Sequence, residues 1–106
     1  MWDTIGEDAV MRASEALELH REEIRRIVHA HKAENPRVFG SVATGTDDDE
    51  SDLDLLIDPL DGMSLFDLGG IYNDLELLMP VKVDVCIARS LRPRYKDRIL
   101  AEAKPL

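Results

Sequence analysis

Apolar and polar positions follow two different periods along this chain. From residue 8 to residue 33, Val10, Ala13, Leu17, Ile24, Ile27 and Val28 recur at three-, four- and seven-residue spacing, which predicts one long amphipathic helix. Glu18 and Glu22 stand three or four positions from Arg21, Arg25 and Arg26, within reach for ion pairs on the exposed face. Asn35-Pro36 is expected to stop this helix, because proline disfavours the helical region for the residue before it. The period then falls to two. Arg37-Val38-Phe39 predicts a short strand, Gly40-Ser41 a turn, Val42–Thr44 a helical turn, and Gly45–Glu50 a polar loop. Asp52–Ile57 predicts a second strand, with Asp52, Asp54 and Leu56 on one face and Leu53, Leu55 and Ile57 on the other.

After a loop at Pro59–Met63, the helical period returns. Ser64 and Asp67 form a capping box, and Leu65, Leu68, Ile71, Tyr72, Leu75, Leu78 and Met79 are the expected core face. Gly69-Gly70 inside this helix costs about 1 kcal/mol per glycine relative to alanine, and close packing of the helix on the sheet is the expected reason for it. Pro80 ends the helix. Val81–Ile87 predicts a third strand, with Lys82, Asp84 and Cys86 opposite its valines, and Leu91–Ala103 a last helix with Pro93 in its first turn. The order predicts an α/β (α+β) fold: a small mixed β-sheet flanked by helices.

Composition narrows the picture. The 106 residues fit a single domain spanning 1–106. A formal net charge of -9 opposes direct binding to nucleic acid, which needs basic groups to neutralise phosphates. It leaves room for a small phosphorylated ligand held through a metal ion. Cys86 is the only cysteine, so no intrachain disulfide forms. The N-terminal MWDTIGEDAV has neither a basic segment nor a long apolar run, so no signal peptide, no membrane association and a cytoplasmic location are expected.

The candidate chemistry lies in VFGSVATGTDDDESDLDLLID, residues 38–58. Asp52 and Asp54 sit about 7 Å apart along one side of a strand, and Asp84 faces the same way on the third. With the apolar faces on one layer, three carboxylates come together on the other. Such a group calls for cations, and oxygen donors without sulfur or imidazole suit hard ions such as Mg²⁺. Magnesium keeps positions for phosphate oxygens, which makes a nucleoside triphosphate the natural ligand. Gly40 permits close backbone approach, Ser41 offers a hydroxyl, and the amides of the short helical turn after them can face an anion.

Gly40-Ser41, ten intervening residues, Asp52-x-Asp54 and a third aspartate on a later strand together resemble the nucleotidyltransferase superfamily typified by DNA polymerase beta. Within it, VFGSVATG…SDLDLLI is similar to the minimal nucleotidyltransferases of bacteria and archaea, from about Arg37 to Ile87. The resemblance implies that Asp52, Asp54 and Asp84 are the catalytic, metal-binding residues for two Mg²⁺ ions, and that Gly40 and Ser41 contact the triphosphate of ATP, the substrate. It implies transfer of AMP to a protein hydroxyl, a tyrosine of a HEPN-type ribonuclease toxin, with this chain as the antitoxin of a type VII-like pair. The chain departs from many minimal members at Thr44, where they carry an arginine or lysine. Two alternatives stand beside this reading: an antitoxin that neutralises its partner by contact alone, and a transferase acting on a small molecule.

Other signals have plainer readings. Asp47–Glu50 is expected to be a solvated loop, since it lacks the glycine and glutamate of a calcium loop. His20, His29 and His31 are expected on the helix surface without matching partners, and Cys86 as a small buried filler. Arg89, Arg92, Arg94, Lys96 and Arg98 form a basic cluster expected to be a solvated helix face, with a triphosphate or partner contact as its sharper reading.

Overall fold

Alternating aliphatic side chains on three strands decide the layers. The computed structural model describes residues 11–106. The elements run α1 (Ala13–Ala30), β1 (Ala33–Phe39), α2 (Gly40–Thr44), β2 (Leu53–Pro59), α3 (Leu65–Leu78), β3 (Val83–Ile87), a 3-10 turn (Ala88–Ser90), α4 (Pro93–Glu102) and β4 (Lys104–Pro105). The strands form one mixed sheet in the order β3-β2-β1-β4, with β2 and β3 parallel and β1 antiparallel to both of its neighbours. Leu53, Leu55 and Ile57 of β2 join Val83 and Val85 of β3 in the core, against Ile24 and Val28 of α1 and Ile71 and Leu75 of α3. The mixed α/β architecture read from the hydropathy pattern is the one observed.

Helix α1 is shorter than the periodicity predicts. Residues 8–10, including Val10, lie outside the described residues. The helix begins at Ala13 because acceptors meet its first free amides: Glu15 reaches back to the Arg12 N–H (2.8 Å), and Asp47 accepts from the Ser14 N–H (3.1 Å). The acidic loop is therefore partly a helix cap rather than simply solvated. Burial pushes the Asp47 carboxyl up, but bonds from Ser14 and from its own amide hold it below the usual range. The expected ion pairs Arg21–Glu18 and Arg25–Glu22 are present.

Asn35-Pro36 does not stop α1. The helix ends at Ala30, and Lys32 turns the chain with φ 59°. Asn35 (φ 53°) and Pro36 instead lie inside β1, where the register with β2 shifts by one residue between Glu34 and Arg37. A bulge is a place in a sheet that tolerates proline, which has no N–H to donate. Asp58 holds the bulge from the neighbouring strand, accepting from Arg37 (2.7 Å) and Asn35 (2.9 Å).

Helix α3 starts at the predicted capping box, with the Asp67 carboxylate on the Ser64 N–H at 2.9 Å. Its expected core face is only partly buried: Ile71, Leu75 and Met79 are inside, while Leu65 is 84% exposed. The double glycine does not pack on the sheet. A Cβ on Gly70 would lie 2.5 Å from the His31 ring, and Gly69 faces open space. His31 has a partner after all, bonding Asp74 at 2.8 Å and tying the end of α1 to α3. His20 likewise pairs with Glu23 (2.8 Å). Among the described residues, no helix is long and apolar enough to cross a membrane.

Candidate active site

One end of the sheet gathers the candidate residues, because β1 finishes where β2 and β3 begin. Phe39, the last residue of β1, stands opposite Asp54, and Asp54 stands opposite Asp84 across the parallel pair. The chain then turns at Gly40 with φ 73°, in the left-handed region that favours glycine. A Cβ there would run into the Asp54 carboxylate, whose carboxyl carbon would be only 3.3 Å away. Glycine at this position is what lets the carboxylate lie against the turn. Ser41 follows as the second residue of α2. The turn is closed behind it by Gly45 (φ 76°), by the Thr46 N–H on the Ser41 carbonyl (2.9 Å), and by the Thr44 hydroxyl, which lies 3.2 and 3.3 Å from the Gly40 and Ser41 carbonyls.

Asp54 and Asp84 are thus side by side. Asp52 lies just before β2, with a carboxylate oxygen 4.0 Å from the Lys82 ammonium. A fourth acid enters from the far end of the chain: Glu102, at the end of α4, accepts the Gly40 N–H at 3.0 Å. Burial first, and then the charges of Asp84, Asp52 and Glu102, push the Asp54 carboxyl above its usual range. Cys86 is half-buried on the same face, and burial together with Asp54 and Asp84 raises its thiol pKa. Among the described residues, no three His, Cys, Asp or Glu side chains close into a cage of metal-binding size. The site is an open group of oxygen donors in which Lys82, beside Asp52, is the one cation paired with a carboxylate of the group among the described residues. Carboxylate oxygens without sulfur or imidazole partners are the donor type that suits a hard divalent cation, and Asp54 and Asp84 would be the adjacent pair to hold it.

Beside Asp84, a cleft of about 400 Å³ runs between α3 and the outer edge of β3, walled by Tyr72, Glu76, Met79, Pro80 and Lys82. Tyr72 holds that edge. Its hydroxyl donates to the Val85 carbonyl (3.1 Å) and accepts the Val85 N–H (2.9 Å), the residue next to Asp84. Tyr72→Phe leaves both main-chain groups without this partner. It is expected to cost about 1–3 kcal/mol and to speed exchange of the Val85 amide, read by melts and hydrogen exchange; unchanged exchange would mean that the hydroxyl does not hold the strand.

Sequence reasoning expected Asp52, Asp54 and Asp84 to come together on one side of the sheet with Gly40 and Ser41 beside them; the structure sets Asp54 opposite Asp84 and against Gly40, leaves Asp52 just ahead of β2, and adds Glu102 and Tyr72, which that reasoning missed. Tyr72 carried no local signal beyond its place on the expected core face. Glu102 carried one: an acidic side chain in the last turn of a helix opposes the helix dipole and calls for a partner elsewhere. The basic side chains Arg89, Arg92, Arg94, Lys96 and Arg98 are all exposed. Helix α4 buries none of its residues, and Arg94 and Arg98 sit over the Tyr95 ring, 5.3 and 5.8 Å from its centroid.

Comparison with known proteins places this geometry in context. Residues 17–106 match the family described as "Nucleotidyltransferase domain". The chain is 38% identical over 77 residues to "Putative protein adenylyltransferase MJ0435" of Methanocaldococcus jannaschii, covering 73% of this chain and 83% of that one. It is 30% identical over 89 residues to a second protein of that organism, "Putative protein adenylyltransferase MJ0126", covering 84% and 91%. Among solved structures it resembles a "putative minimal nucleotidyltransferase" with TM-score 0.79 and 41% identity, over 88% of this chain and 95% of the other. It shares its fold with a chain from a toxin–antitoxin structure with AMP-PNP (TM-score 0.67, 20% identity, 79% and 69% covered).

Proposed function

The chain belongs to the nucleotidyltransferase-domain family, and from that premise we propose that it transfers AMP from ATP to a hydroxyl of a partner protein. The observation that carries this reading is the registered pair Asp54–Asp84, with Asp54 lying against a turn whose glycine makes room for its carboxylate. Both M. jannaschii relatives bear the name protein adenylyltransferase. The proposed acceptor is a tyrosine of a HEPN-type toxin, with this chain as its antitoxin in the cytoplasm; the fold shared with a chain of a toxin–antitoxin assembly supports the pairing. Leu65 and Phe66, 84% and 92% exposed, offer adjacent apolar surface of the kind protein interfaces use.

Each residue then has a task. Gly40 and Ser41 hold the triphosphate on the β1 side of Asp54. Asp52, Asp54 and Asp84 are the ligands for Mg²⁺, which when bound supplies positive charge at the α-phosphate and the leaving pyrophosphate. The acceptor hydroxyl comes from the Asp84 side, where the cleft opens. Its oxygen forms a bond to the α-phosphorus as the bond to pyrophosphate breaks, and its proton passes to solvent water. Tyr72 keeps β3, and with it Asp84, in place.

Thermal melts with ATP, Mg²⁺, both and neither test the ligand. The pair together is expected to raise the melting temperature by on the order of 10 °C at about 100 times Kd, and either alone by less. Four identical curves would remove the nucleotide from the account. A contact-only antitoxin is the second reading, and one observation favours it: the Thr44 hydroxyl turns inward onto the Gly40 and Ser41 carbonyls and supplies no positive charge to a phosphate.

A further inference from the structure

Helix α4 raises a question that its packing does not answer. None of its residues is fully buried, and Ile99 is its one half-covered aliphatic side chain, so apolar contact holds it only loosely. Its C-terminal end is nonetheless fixed. Lys104 and Pro105 pair with Val38 and Arg37 as β4, the Leu106 N–H bonds the Pro36 carbonyl (3.2 Å), and the Leu106 side chain is buried. This short strand pins the end of α4 beside β1, the strand that runs into Gly40. The residue delivered there is Glu102, placed against the dipole of its own helix and at the same turn that Asp54 lies against. Its side chain's one hydrogen bond among the described residues is accepted from the Gly40 N–H.

We propose that Glu102 is a positioning residue for the Gly40-Ser41 turn, and that the α4–β4 tail is the brace that carries it there. The inference rests on the proposed role of that turn in holding a triphosphate. Gly40 has the freest backbone in the turn, and φ 73° is one of several conformations open to a glycine. A charge-assisted bond to its amide selects one of them. The carboxylate thereby fixes the direction in which the chain leaves β1, and so where Ser41 stands relative to Asp54. Local preference opposes an acid at this position, and the bond to the turn is the interaction that offsets the cost.

Two variants separate geometry from mere stability. Glu102→Ala removes the acceptor; Glu102→Gln keeps an oxygen that can accept the same N–H. Exchange of the Gly40 amide is read without nucleotide, and affinity for Mg²⁺ with AMP-PNP is read by calorimetry. Glu102→Ala is expected to speed Gly40 exchange and weaken AMP-PNP binding about tenfold. Glu102→Gln is expected to stay within about threefold of the parent in both. Unchanged Gly40 exchange in the alanine variant overturns the brace, and so does a glutamine variant that loses as much affinity as alanine. A parent that binds no AMP-PNP overturns the proposed function instead, which keeps the two failures apart.

Discussion

Gly40→Val is expected to abolish detectable nucleotide binding and to lower the melting temperature. A Cβ at this position meets the Asp54 carboxylate, and the backbone there has φ 73°. Either the carboxylate moves away from the turn or the turn opens, and both separate the groups proposed to share one ligand. A non-glycine residue forced into the left-handed region costs of order 1–3 kcal/mol, more when branched at Cβ. Gly45→Ala is the control. Its φ of 76° is strained in the same sense, but nothing lies within 4 Å of the added Cβ, so it should lose stability and keep the ligand. Ser41→Ala should do the reverse, weakening binding with little effect on the fold. Calorimetric titration with AMP-PNP and Mg²⁺, beside thermal melts, reads both quantities. Normal binding by Gly40→Val would mean that the phosphates lie elsewhere.

Asp52→Asn combined with Asp54→Asn is expected to melt higher than the parent without metal, and to be inactive with it. Asp54 carries a raised pKa, through burial and then through Asp84, Asp52 and Glu102. Its proton is held more tightly folded than unfolded. Its contribution therefore favours the fold below the unfolded pKa and is lost as pH rises through the raised folded value. At neutral pH the ionised carboxylate is a net cost, which asparagine removes while keeping the shape. Metal-free stability of the parent should accordingly lose this component as pH rises through that window, and the variant should lack it. Asp47 works in the other direction: its lowered carboxyl supports the fold at neutral pH, and that support is lost as pH falls. A variant that melts lower than the parent in metal-free buffer would mean that the cluster is not self-repelling.

Much of this arrangement was legible in the sequence wherever local periodicity and burial agree. The period of two at residues 52–57 put Asp54 opposite Leu53 and Leu55, and the buried leucines did turn the aspartate to the other face. Ser64 and Asp67 named the start of α3 because a capping box is a contact three residues long. The misses share a cause, which is that their partners are distant in sequence. Asn35-Pro36 reads as a helix stop until Asp58 on the next strand supplies the bonds that make it a bulge. Gly70 reads as helix-on-sheet packing until His31 is found against it. Glu102 meets Gly40 across 62 positions, and β4 is two residues long, too short for any period to reveal.

The central claim is that this site moves AMP onto a protein, and the intact mass of a co-purified partner tests it most directly. The partner is incubated with ATP, Mg²⁺ and either the parent chain, the Asp52→Asn/Asp54→Asn variant or Asp84→Asn, while its own activity is followed in parallel. The account predicts a gain of one or more AMP units with the parent and none with either variant, together with silencing of the partner by the parent alone. No gain in mass with the parent, and equal silencing by the parent and the asparagine variants, would contradict it and leave an antitoxin that acts by contact.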